Sequence, residues 1–164
     1  MAQESFLAYL QVNITQSTTS PHAITVSVTN THPSFPVTIL KWNSPLDPAA
    51  LGLGLVRVIP AGATEPIHID AIKISRIMPP KVESLVTLLP RHSVTGTVDL
   101  RSPIVPSYIW ETGPAKVAMK GRWMAVWPEL TKEYLLSHTE RLQSVGAGAG
   151  SLIGEWESGY IEIS

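Results

Sequence analysis

His68-Ile69-Asp70 is the nearest thing to a ligand pair in the chain. On a strand, side chains two residues apart emerge from one face, so this imidazole and carboxylate could share a metal or work as a base and the acid that orients it. A metal site needs three or four ligands, and none of His22, His32, His68, His92 and His138 stands four residues from another, the spacing that sets two imidazoles on one helical face. No metal is expected, and a solvated strand face is the plainer account of the pair. Glu155 and Glu157 flank Trp156. From a strand they would point together as paired carboxylates for proton transfer, with exposure to water again the plainer account. If the chain is an enzyme, His68, Asp70 and Glu157 are its acid–base candidates; otherwise no catalytic residue is read.

Five tryptophans are a more informative excess: Trp42, Trp110, Trp123, Trp127 and Trp156. Trp42 suits the core, as a large residue on a central strand. Trp123 and Trp127 share a face of a regular strand, whereas a bulge between them would send them to opposite faces. Together with Tyr108 and Trp110 they are the candidate binding residues, lining an aromatic pocket or anchoring a protein interface. Core packing and a covered sheet edge are the competing account.

Other chemistries fall away. Gly148-Ala149-Gly150-Ser151-Leu152 lacks the closing glycine of a nucleophile elbow. Gly146, Gly148 and Gly150 alternate as in half of a dinucleotide loop, but they follow a predicted helix where that loop needs a preceding strand, so they read as a linker. The chain has no cysteine, which excludes disulfides and thiolate sites, and no cofactor is expected. Twelve Lys and Arg stand against thirteen Asp and Glu without a run of either sign, which disfavours nucleic acid. Lys116, Lys120 and Arg122 read as a solvated face. No apolar run is long enough to span a membrane. The start, Met1 to Leu10, has an acidic residue and only a short apolar run where a leader would be basic and then apolar. A cytoplasmic protein is expected, and the sequon Asn13-Ile14-Thr15 would then be idle.

These candidates need elements to position them. The chain has 164 residues, 44% hydrophobic and 15% charged, with 14 prolines. That composition folds, and the prolines interrupt long helices while tolerating turns and extended chain. Leu10, Val12 and Ile14 alternate with polar residues, as do Ile24, Val26 and Val28 across a turn at 17–21, and the two runs read as a hairpin. Val37 to Trp42 reads as a strand mated with Leu55 to Ile59. Ile67 to Ile74 reads as a strand apolar on both faces, suited to a central position. Leu85 to Leu89, Val94 to Leu100 and Ala115 to Trp127 follow, the last with Gly121 where a strand often bends. Steps of three and four from Glu129 to Gln143 predict one short helix, 146–150 reads as a hinge, and Trp156 to Ile163 as a closing strand. Pro21, Pro36, Pro60, Pro90 and Pro128 each bound a predicted strand. The sum is one all-β domain over residues 1–164, an antiparallel β-sandwich of about seven or eight strands with one short C-terminal helix.

Leu40-Lys41-Trp42-Asn43-Ser44-Pro45-Leu46-Asp47 resembles a turn in the N-terminal prosegment of fungal metallopeptidases of the deuterolysin and peptidyl-Lys endopeptidase group. The order of signals is similar over roughly residues 8–127. Val28-Thr29-Asn30-Thr31 precedes the turn, and Ala71-Ile72-Lys73-Ile74-Ser75-Arg76 follows it. Thr87-Leu88-Leu89-Pro90-Arg91-His92-Ser93 then leads into a strand with Asp99-Leu100. The resemblance implies an immunoglobulin-like sandwich. The His-Glu-x-x-His helix that binds zinc in those enzymes has no counterpart here, so peptidase activity is not expected. It implies a stand-alone, prosegment-like binding module that recognises a protein partner, or inhibits a peptidase, through loops at one end of the sandwich. The rival is a small-molecule enzyme, a cyclase or isomerase of fungal secondary metabolism. Its apolar ligand would lie in a pocket lined by Trp110, Trp123 and Trp127, served by His68 and Asp70 or by Glu157. A homo-oligomer is compatible with either.

Overall fold

In the computed structural model, which describes residues 6–19, 22–143 and 151–164, nine strands follow one another. They are β1 (Leu10–Thr19), β2 (His22–Asn30), β3 (Val37–Leu40), β4 (Val56–Ile59), β5 (Leu85–Leu88), β6 (Ser93–Asp99), β7 (Ala115–Pro128), β8 (Leu152–Glu157) and β9 (Ile161–Ile163). The helix α1 (Lys132–Ser137) lies between β7 and β8. Alternation does what it predicts at the start: Val12 lies opposite Val28 and Ile14 opposite Val26 in the β1–β2 hairpin, and β6 joins β2 with Val94, Gly96 and Val98 opposite Val28, Val26 and Ile24. These three strands form one antiparallel sheet in the order β1-β2-β6. The remaining six gather around β7.

β7 is the spine. On one edge it pairs with β4 at Lys116 to Met119 and with β3 at Val126 to Pro128; on the other it pairs with β9 at Ala115 to Val117 and with β8 from Lys120 to Val126. The strand Leu55 to Ile59 therefore does not mate with β3, whose partners are β5 and β7. Nor is Ile67–Ile74 a strand. It runs as irregular, mostly exposed chain tied by an Ile67 N–H to Val58 O bond of 2.8 Å and an Ile72 N–H to Gly52 O bond of 2.9 Å. The central place in the six-stranded sheet is held by β7 instead.

Inward residues of both sheets make the main core, with Ile24, Val26 and Val28 against Val58, Met119, Trp123 and Trp156. A second core lies on the outer side of the six-stranded sheet, where Leu135 of α1 and Leu142 cover Leu40, Trp42, Ala125 and Trp127. β3 is buried on both faces because it serves both cores. The predicted helix over 129–143 is shorter than its periodicity suggests. Glu129 turns with φ 68°, Thr131 caps α1 by accepting the Tyr134 N–H, and His138 at φ −132° breaks it before a 3-10 turn at Thr139–Leu142. The closing strand is also divided: Gly159, φ 75°, separates β8 from β9. Pro21 and the hinge at 146–150 lie outside the described residues.

At Gly121 β7 keeps its register with β8 and admits a ring. A Cβ there would sit 2.6 Å from Cζ2 of Trp156 and 3.0 Å from the carbonyl oxygen of Asn43, the same carbonyl that accepts the Trp156 indole N–H at 3.1 Å. Gly121→Ala is therefore expected to cost about 1–3 kcal/mol by overpacking, seen as a lower urea midpoint with an unchanged slope. Parental stability would mean that the ring does not cross the strand here.

Candidate functional site

Chain reversal after β3 depends on one buried carboxylate. Asp47 has a side chain only 1% exposed, yet it is fully engaged. It accepts the Asn43 N–H at 2.8 Å, the Ala49 N–H at 2.9 Å and an Arg76 Nη2 donor at 2.6 Å. Carboxylate bonds to backbone N–H groups and guanidinium are the strong, charge-assisted kind, and a buried charge needs them. Asn43 takes φ 60°, which asparagine tolerates, and Arg76 lies with its guanidinium carbon 5.5 Å from the centre of the Trp42 ring. The irregular chain after β4 is thereby pinned to the turn after β3. Leu46 in that turn covers Gly96 of β6, where a Cβ would come within 3.5 Å of its Cδ2.

This turn walls a groove along β6. The Leu100 N–H bonds His22 O and the Asn30 N–H bonds His92 O, so the narrow pairs of the β2–β6 ladder fall on even-numbered residues of β6, Val94, Gly96 and Val98. The peptide groups of Thr95 and Thr97 then point to the opposite edge, with which no strand pairs among the described residues. Two hollows of about 280 and 270 Å³ run along that edge and share Pro48, Thr97 and Val98. Leu46, Val86 and Val94 line the first, and Leu51, Ile72 and Ile104 the second. Beyond Ile72 the irregular chain exposes Ile74, Ile77, Met78 and Val82, Ile77 at 75%.

The residues singled out in the sequence lie elsewhere. His68 Nε2 and Asp70 Oδ1 do meet, at 2.6 Å, but on irregular chain with side chains 83% and 96% exposed. Glu155 and Glu157 are exposed on β8 opposite Arg122 and Lys120, a complementary cross-strand ladder that supports register. Trp123 and Trp127 are both buried but on opposite faces, in the main and the outer core. The cause is a bulge: Trp123 pairs with Gly154 and Val126 with Leu152, so β7 has one residue more than β8 across that interval. The Trp127 indole N–H has no acceptor among the described residues. Trp110 stacks on His22 with ring centres 3.9 Å apart, and Tyr108 stands exposed on the 3-10 helix Ser107–Thr112. The four aromatics therefore do not converge on one pocket. Among the described residues, no three His, Asp or Glu side chains cluster as a metal site.

A family model for an immunoglobulin-like domain matches residues 9–164. The chain is 31% identical over 145 residues to a protein of the fungus Arthroderma benhamiae named "Uncharacterized secreted protein", a match that spans 88% of this chain and 69% of that one. Neither finding names a peptidase prosegment. The relative's name overturns the cytoplasmic placement expected from the sequence. A lack of cysteine does not confine a protein to the cytosol, since two apolar cores can hold a sandwich together without a disulfide.

The Asp47 node makes a sharp prediction. Asp47→Asn keeps the size but presents an NH2 group to donors that now meet a carboxylate oxygen, so it should destabilise nearly as much as Asp47→Ala, by about 3 kcal/mol. Alanine at both His68 and Asp70 should shift stability by less than about 0.5 kcal/mol, as for exposed sites generally. Chemical denaturation of the three variants checks both statements, and a mild Asp47→Asn would refute the charge-assisted account.

Proposed function

We infer that this chain, which belongs to the immunoglobulin-like domain family, is a secreted module that binds a protein partner by taking an extended segment of it along the free edge of β6. One observation carries the reading: the outward peptide groups of Thr95 and Thr97 lie beside two adjoining hollows whose walls mix apolar side chains with Lys41, Asp99 and Arg101. Addition of a strand to such an edge draws affinity from main-chain hydrogen bonds and selectivity from pockets for alternate side chains. Secretion is supported by the name of the relative.

Some of the residues that resemble peptidase prosegments also line the groove. Lys41 and Pro45 to Asp47 line one hollow, Ile72 lines the other, and Asp99 ends β6. This convergence narrows the partner to a fungal zinc endopeptidase of the deuterolysin or peptidyl-Lys type, which the module would hold inhibited. The enzyme reading finds no such support, because its aromatic and acid–base groups are scattered or bare to solvent.

Titration of such an endopeptidase with the chain should give inhibition at micromolar protein. Thr95→Pro and Thr97→Pro each remove one outward N–H while leaving the β2 ladder its donors, so both should fold and both should weaken binding at least about tenfold. Absence of binding by the parent rejects the peptidase partner. Full binding by both proline variants rejects the edge.

A further inference from the structure

We propose that Asn13 carries an N-linked glycan. The proposal rests on the secretion reading above, because the transfer occurs on that route. Asn13-Ile14-Thr15 is the one Asn-x-Ser/Thr triplet in the chain. Asn30 is followed by Thr31-His32 and is wholly buried, donating to Phe35 O and Leu88 O; Asn43 is followed by Ser44-Pro45.

Position in the sheet singles the site out further. Asn13 and Thr15 are exposed, and the residue between them, Ile14, points into the main core. Among the described residues neither polar side chain is engaged in a hydrogen bond, so a sugar displaces no contact. Their face of the sheet is polar around them: Asn13, Ser27 and Thr95 stand in one cross-strand row, with Thr15, Thr25 and Thr97 in the next. Such a face offers hydroxyl partners to a glycan and loses no apolar packing beneath it.

The chemistry balances with one co-reactant, a lipid-diphosphate-linked oligosaccharide. Asn13 Nδ2 forms a bond to the anomeric carbon, the bond from that carbon to the diphosphate oxygen breaks, and the lipid diphosphate leaves with the electron pair while one amide proton passes to base. The product places a bulky, hydrated group on β1, one edge of the three-stranded sheet, about 10 Å from β6 on the other edge. Strand addition is thereby confined to the β6 side.

The test has two arms. Protein recovered from the medium and from extracts of its own cells is digested and mapped, with and without a peptide N-glycosidase that leaves aspartate in place of a glycosylated Asn13. In parallel, the full chain is passed through a yeast secretory route behind a cleavable leader as parent, Asn13→Gln, Thr15→Ala and Thr15→Ser. Expected are a single glycan on the parent, retained in Thr15→Ser and lost in the other two, and the same modification in protein from the natural medium. Natural protein in the medium with a bare Asn13 overturns this proposal alone. Protein confined to the cells overturns the secretion reading and this proposal with it.

Discussion

A strand has two edges, and β7 divides both among four partners. Four strands compete for fourteen residues, and the competition is resolved by position: β4 and β9 take its first third, β8 the stretch from Lys120 to Val126, and β3 the end from Val126 to Pro128. Everything on the six-stranded side follows from that sharing. The bulge after Trp123 rotates the last part of β7 so that Val126 still reaches the main core while Trp127 turns outward, which creates the need for an outer core. α1 and Leu142 exist in this fold as the cover for that exposed ring. Gly121 belongs to the same logic, since a strand this crowded can admit the Trp156 ring only where it has no side chain.

The second constraint is electrostatic. A carboxylate 1% exposed would be costly without partners, and Asp47 has three, drawn from its own turn and from Arg76 far along the chain. The bond set does little to extend a core. What it fixes is the relation between two stretches without regular structure, so that Leu46 and Ile72 hold station beside β6. A groove assembled from loops is only as well shaped as the contacts that order those loops, and here a charge-assisted cluster supplies that order.

Local patterning made the β1–β2 hairpin and the strand β6 legible, since alternation needs only the burial of one face, but nothing local placed β6 beside β2. Partner choice in the other sheet was not legible, because β3 to β7 spans some ninety residues and no local signal in Val37 to Leu40 says which of several apolar runs will meet it. Ile67 to Ile74 misleads for the converse reason. Apolar residues on both faces suggest a central strand, yet the segment joins no ladder and is held by single backbone bonds to Val58 and Gly52. The separation of Trp123 from Trp127 turned on a single extra residue that spacing leaves open. Asp47 and Arg76 both stand within the motifs that carry the prosegment resemblance, but their pairing is tertiary and invisible to spacing. Placement in the cell was misjudged because it was read from the residue types of Met1 to Leu10, which fix no compartment.

Sheet edges give the last step. An uncovered edge invites uncontrolled pairing, and proteins blunt such edges with charge, with proline, by shortening the strand or by covering it. This chain uses several of these devices where no binding is wanted. β5 is only four residues long and lies under α1, where Thr87 accepts the Lys132 N–H at 2.8 Å. β4 is equally short and is fringed by the Ile67 N–H on Val58 O. β8 carries Glu155 and Glu157 in its exposed ladder. β6 has none of these: within seven residues it holds no lysine, no arginine and no proline, and its charge waits until the final Asp99. β1, the other outer strand of the three-stranded sheet, is equally free of charge and proline, and of these two edges β6 is the one that runs beside the hollows whose loops the Asp47–Arg76 pair orders.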